Sequence, residues 1–234
     1  VIGTDLSADR SSQYPRVFDH AYTPTLMAVS FMGIRPPDTV KDWMYAMIWM
    51  RDNLPPSPPD GPTVVVSWWD YGYLITTIGN KTTLADGATF NTTQIAQIGL
   101  MFMSPEDQSI EILKKYNVTH VVVFTTVTYQ GQDWYPVSWG ETGKFTWMIK
   151  IAGLNESLYV TDDGKWTEYG MNTTLYKMMT YGKFLLGIPL RDKDGNQLQP
   201  VFPRKFELVY PLTKRGFQST GGIYALVLVY EVKY

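Results

Sequence analysis

Apolar positions along this chain follow more than one period. Over residues 39–53, Trp43, Met47, Met50 and, just beyond, Leu54 recur at helical spacing. Asp38 is placed to cap that helix, and the Pro-rich run 55–62 stops it. Val64, Val65 and Val66 are then apolar without alternation, the pattern of a strand covered on both faces. The run leads straight into Trp68, Trp69, Asp70, Tyr71 and Gly72. A short helix over 73–78, an extended piece over 82–85 and a helix starting at Asn91 follow. Ser104-Pro105-Glu106-Asp107 predicts another helix start, with Ser as cap, Pro at the first helical position and an acid three residues after the cap. That helix carries Ile110, Ile112, Leu113 and Tyr116 and ends before an all-apolar strand over 121–124. Downstream, 144–151 and 175–179 read as helices, 192–196 as a turn, and 206–210 and 223–232 as strands.

Strand, helix, helix, strand, with β-branched runs that do not alternate, predicts a mixed α/β (α+β) fold with at least partly parallel core strands. Ligands of such open sheets bind beyond the carboxyl ends of the strands, which is where residues 68–72 fall. The expected organisation is an extended Ser/Pro/Thr-rich lead-in over 1–37, an α/β core over 38–190 and a β-rich peripheral segment over 191–234.

Composition narrows the function. Aromatics are 15% of the 234 residues while charged residues are only 18%, against roughly 25% in ordinary soluble domains, so the core is large and lean in charge. A net charge of −2 and the absence of a basic run exclude a nucleic-acid partner, which requires a basic face. With no Cys and only His20 and His120, thiolate chemistry and a His-rich metal centre are excluded. No apolar run reaches the roughly 20 residues that span a bilayer. The expectation is therefore a soluble piece of something larger.

The Trp68–Gly72 run carries the candidate chemistry. Two indole N–H groups only donate and a carboxylate only accepts, so Trp68, Trp69 and Asp70 together complement a hydroxyl, which does both. Two other readings stand beside this one: core aromatics with Asp70 capping the next helix, and a Trp platform that stacks on sugar rings, as in a carbohydrate-binding module.

The run resembles the WWDYG signature of the catalytic subunit of oligosaccharyltransferase, the membrane enzyme that glycosylates Asn in Asn-x-Ser/Thr sequons. The resemblance continues through Thr82-Thr83-Leu84-Ala85-Asp86, Asn91-Thr92-Thr93-Gln94-Ile95-Ala96, Ser104-Pro105-Glu106 and Ile112-Leu113-Lys114-Lys115, and covers about residues 38–185. The absence of Cys and the compact C-terminal part are similar to the archaeal branch, AglB, in a short form. A second family motif, Asp, then Lys three later, then Met or Ile four after that, is matched by Glu141, Lys144 and Met148, with Glu where the family has Asp. On a helix these offsets share one face. Alone, such a Glu/Lys pair reads as a solvated helix pair worth a few tenths of a kcal/mol. The alternative register, Asn172, Leu175 and Met179, lacks an acid and a Lys and reads as core helix.

The resemblance implies that Trp68, Trp69 and Asp70 hold the Ser or Thr at position +2 of an acceptor polypeptide. Met148 would cover a Thr methyl, and Tyr71 and Gly72 would shape the turn. It implies a divalent cation, Mg or Mn, bound by transmembrane loops outside this chain, so catalytic and metal residues are expected elsewhere; Asp162, Asp163, Asp192 and Asp194 read as solvated. It further implies a lipid-linked oligosaccharide as indirect partner, the enzyme's own transmembrane domain as direct partner, and a place on the extracytoplasmic face of the membrane as part of a multi-pass protein. A structural ectodomain is the remaining alternative. The chain also holds five sequons, at Asn80, Asn91, Asn117, Asn155 and Asn172; most are expected to be unmodified, with Asn91 and Asn172 buried as helix caps.

Overall fold

Pro37 opens the first helix, α1 (Pro37–Asn53), because its φ is preset for a helix and it has no N–H to leave unpaired. Asp38 therefore lies inside the first turn instead of capping it. The computed structural model describes residues 37–89, 91–130, 133–191, 195–212 and 223–234; the lead-in before Pro37 and Asp192 and Asp194 of the expected turn lie outside them. Trp43, Met47 and Met50 of α1 are buried, as their spacing predicts. Lys81 closes the far end of the helix, its Nζ donating to the Leu54 carbonyl at 3.0 Å and the Arg51 carbonyl at 3.5 Å.

Strand β1 (Val64–Val66) is buried throughout, as a continuous apolar run requires. One 3-10 turn (Trp69–Tyr71), helix α2 (Gly72–Thr77) and strand β2 (Thr82–Thr83) follow. Helix α3 (Thr92–Met103) starts at Asn91, whose side chain accepts the Gln94 N–H at 3.1 Å. Helix α4 (Glu106–Lys115) starts one residue later than its signal suggests: Pro105 holds the cap position, and Ser104 instead ends α3, its carbonyl accepting the Thr174 N–H at 2.9 Å. Next come strands β3 (His120–Gln130) and β4 (Asp133–Gly140), helices α5 (Glu141–Ile151), α6 (Glu168–Met171) and α7 (Thr174–Leu185), and strands β5 (Phe206–Tyr210) and β6 (Ile223–Val232).

The six strands form one mixed sheet in the order β2-β1-β3-β6-β5, with β4 beside β3. β1 runs parallel to both β2 and β3; the remaining pairs are antiparallel. The expected mixed α/β architecture is therefore observed. The described residues of 191–234 include β5 and β6, and β6 is not peripheral: it pairs with β3 from His120↔Glu231 to Thr128↔Ile223. The physical reason is that Ala225–Tyr230 are buried on successive positions, so both faces of β6 need cover. Helix α7 supplies part of it, since a Cβ added at Gly182 would meet Leu228 at 2.4 Å, and the Tyr230 hydroxyl donates to the Met178 carbonyl at 2.6 Å. Leu175 and Met179 of α7 are core residues, as read from the sequence. No helix among the described residues is long and apolar enough to cross a membrane.

Candidate functional site

The two long edges of β3 are used differently, and the site follows from that. β6 occupies one edge along nearly all its length. The other is shared end to end: β1 covers His120 and Val121, and β4 covers Thr125 to Gln130. Between them no strand among the described residues accepts the Phe124 N–H. The antiparallel return of β4 brings the chain back to Thr125↔Gly140, and the next side chain fills the gap: Glu141 Oε1 accepts the Phe124 N–H at 2.8 Å. Gly140 makes this turn possible. Its φ of +66° is a left-handed conformation, and a Cβ there would sit 2.4 Å from the Phe124 carbonyl oxygen.

The Trp68–Gly72 turn leaves the carboxyl end of β1 beside this gap. Asp70 and Lys144 form an ion pair through Asp70 Oδ2, and Lys144 Nζ also donates to the Tyr71 hydroxyl at 2.7 Å while lying 4.3 Å from the centre of that ring. Their side chains are only 19% and 13% exposed, for Lys144 and Asp70, so Lys144 is engaged with Asp70 in a largely covered site and does not form a solvated helix pair with Glu141. Tyr71 is sealed, its ring against Trp43 at 4.7 Å and edge-on to Phe124 at 5.8 Å. Gly72 has no room for a side chain, because a Cβ would meet the Ala85 carbonyl at 1.9 Å. Its role in shaping the turn is thus a close backbone approach to the segment after β2.

Charge in this cluster is set by burial. Glu141 is fully covered, and desolvation pushes its carboxyl up to about 8 despite the pull of Lys144 and the Phe124 N–H, which favours the neutral form at pH 7. Burial also raises Asp70, with Lys144 working against it. Tyr71 is held well above its ordinary value by burial first and then by the Glu141 and Asp70 carboxyls beside it. With Glu141 neutral, the single charge of Lys144 balances that of Asp70. Two carboxyl oxygens remain buried without a hydrogen-bond partner, Asp70 Oδ1 and Glu141 Oε2.

The structure thus brings Asp70, Tyr71, Glu141 and Lys144 together from two motifs some seventy residues apart. Trp68 is buried and Trp69 half-buried, and neither indole bonds to the Asp70 carboxylate. Met148 lies further along α5 and has no exposed surface; its carbonyl abuts α3, where a Cβ at Gly99 would come within 2.8 Å. Three contributors were not picked out from sequence: Phe124, Gly140 and Trp43. Only Gly140 left a local signal, a glycine directly before a helix. Among the sequons, Asn91 is a cap as expected but is exposed, and Asn172 is corrected: it is exposed at the end of α6, and Thr173 caps α7 by accepting the Tyr176 N–H. Asp162 and Asp163 are exposed.

Residues 62–154, which contain every residue of this cluster except Trp43, match the STT3/PglB/AglB core domain family. Across 93% of its length the chain is 30% identical to the dolichyl-diphosphooligosaccharide–protein glycosyltransferase subunit stt3 of Schizosaccharomyces pombe, and over 59% of its length it is 35% identical to subunit STT3 of Saccharomyces cerevisiae. It spans 28% and 20% of those two relatives. In fold it is similar to the C-terminal globular domain of an oligosaccharyltransferase from Archaeoglobus fulgidus, with a TM-score of 0.52 and 22% identity over 82% of this chain and 97% of that one. Residues 62–154 thus carry the STT3/PglB/AglB core domain, and across most of its length the chain is similar to oligosaccharyltransferase STT3 subunits.

Proposed function

We propose that this domain reads the hydroxyl of the +2 Ser or Thr of an Asn-x-Ser/Thr sequon, within a full-length enzyme that transfers a lipid-linked oligosaccharide to the Asn. The observation that supports this best is Asp70 Oδ1. Its sister oxygen is neutralised by Lys144, yet Oδ1 is buried and accepts nothing. An unpaired buried acceptor costs about 1–3 kcal/mol, which an incoming O–H would relieve. A side chain without a hydroxyl offers no such donor, and sites built this way discriminate strongly. Oδ1 is covered in the free chain, so the acceptor must displace part of its cover; Trp69 and the rest of Asp70 are the half-buried parts of the motif. Fully buried Trp68 and Tyr71 support a structural reading for themselves, as braces of the turn.

The transfer step lies outside the described chain in this reading. Among the described residues no group of three or more His, Asp or Glu side chains comes together, and no step is derived through a metal ion. The transmembrane part of the same enzyme would supply that site and hold the lipid-linked donor, on the extracytoplasmic side. Met148 would act on Thr over Ser only if the opening that admits the peptide also uncovers it.

Asp70→Ala and Trp69→Ala in the full-length enzyme are expected to lower kcat/KM for an Asn-x-Thr peptide by roughly 10–100-fold, the worth of a hydrogen bond to a charged group. The isolated variants should stay folded by circular dichroism. Turnover at the wild-type level in both would end the proposal.

A further inference from the structure

We infer that Asn117 is itself an N-glycan acceptor, and that a groove beside it seats the first sugars. Asn80, Asn91, Asn117, Asn155 and Asn172 are all exposed, so exposure does not choose among the five sequons. Side-chain bonds do not choose either: the Asn91 Oδ1 accepts the Gln94 N–H and the Asn155 Oδ1 accepts from the N–H and hydroxyl of Ser157, which leaves Nδ2 of both without a bond among the described residues. Asn117 has no such bond. Its backbone is fixed at the end of α4 with φ of 51°, a conformation Asn tolerates better than most residues. Two N–H groups anchor it there, Asn117 to the Lys114 carbonyl and Val118 to that of Leu113.

What sets Asn117 apart is the surface it faces. It lines a groove of about 420 Å³ together with Pro58, Pro62, Tyr116 and Tyr234. That volume falls within the range of about 300–1,000 Å³ typical of small-molecule sites. Proline rings and tyrosine faces present flat apolar surface, which complements the C–H face of a pyranose; Lys114, whose ammonium bonds Glu111 at 2.9 Å, also lines the groove. In the modification, Asn117 Nδ2 bonds to the anomeric carbon of a lipid-linked oligosaccharide. The bond from that carbon to the lipid phosphate oxygen breaks, the lipid phosphate leaves with the electron pair, and the amide proton passes to solvent.

Timing follows from Thr119. Its hydroxyl bonds the Val64 N–H and carbonyl at 3.1 Å each and the His120 ring at 2.9 Å, so once β3 is in place the +2 hydroxyl cannot be read. The sugar must be added before β3 docks on β1. This inference rests on the extracytoplasmic placement proposed above. Glycopeptide mass spectrometry of the full-length protein, purified from the cells that make it, tests both. The expected result is a sugar-bearing peptide at Asn117, lost in Asn117→Gln. Enzymatic or chemical removal of the glycan should lower Tm by about 2–4 °C, and Tyr116→Ala should shrink that difference. Sugars on other sequons with Asn117 bare overturn this inference and leave the placement standing. All five bare overturn both. An occupied Asn117 whose glycan makes no difference to Tm overturns the seating in the groove.

Discussion

Asp70 and Glu106 are both buried carboxylates held against a lysine from a distant helix, and they end differently. Glu106 Oε1 takes Lys177 Nζ at 2.8 Å, and Oε2 accepts the N–H groups of Arg204 and Lys205 at 2.7 and 2.8 Å. Both oxygens are satisfied by the chain itself, and the cluster ties α4, α7 and the approach to β5 together. Around Asp70 the same chemistry stops halfway. Lys144 bonds one oxygen of Asp70 and the Tyr71 hydroxyl, while Asp70 Oδ1 is left without a donor and Glu141 Oε2 without a partner. A fold that can satisfy a buried carboxylate with its own backbone does so where only stability is at stake. An oxygen left open in the same protein marks a place where a donor from outside completes the set, and that contrast underlies the reading of Asp70 as the acceptor's contact.

Breaking the complete cluster should cost the most. Glu106→Ala strands a buried Lys177 and two backbone N–H groups, so a loss of about 3–5 kcal/mol is expected in urea unfolding at pH 7. A loss below 1 kcal/mol would mean that the pair contributes no more than a surface ion pair and that the contrast fails. Lys144→Met should cost less, about 2–3 kcal/mol at pH 7, because burial has already raised the Asp70 carboxyl and protonation offers a way out. Without Lys144 that carboxyl rises further, so the penalty should shrink as pH falls from 7 to 5. Equal penalties at the two values would show that Asp70 does not carry the lost energy.

Much of this was legible in the chain before the fold. The β1 run, the turn after it and the one-sided spacing of Glu141, Lys144 and Met148 are local patterns, and each is where the pattern predicts. What Lys144 would face was not local: Asp70 and Tyr71 are 74 and 73 residues away. β4 went unread because Pro136 argues against a strand; it is tolerated because, among the described residues, β4 pairs only with β3, as an edge strand does. The strands at the C-terminus were visible as strands, but β3, the partner of β6, lies about a hundred residues earlier, and no local periodicity encodes such a pairing. The gap that orphans the Phe124 N–H is more remote still, since it exists only because β1 and β4 share one edge.

The smallest expected change sharpens the contrast from the other side. A Glu141 carboxyl raised from 4.5 to about 8 in the fold means that the folded chain keeps a proton which the unfolded chain gives up. Stability from this group is therefore complete below pH 4.5 and is lost as pH rises toward 8. Glu141→Gln has no proton to lose, and its side-chain oxygen can still accept the Phe124 N–H. The variant should match the wild type near pH 4.5 and exceed it by about 1–3 kcal/mol at pH 7, with most of the dependence between pH 5 and 8 removed. Unfolding midpoints across that range check it, and a variant that is less stable at pH 7 would show Glu141 to be ionised. In the full-length enzyme the same substitution should leave peptide glycosylation within a few-fold of wild type, because a neutral residue 141 preserves the one-to-one balance of Lys144 and Asp70. A stabilised variant with a large loss of turnover would instead place the Glu141 proton in the working site.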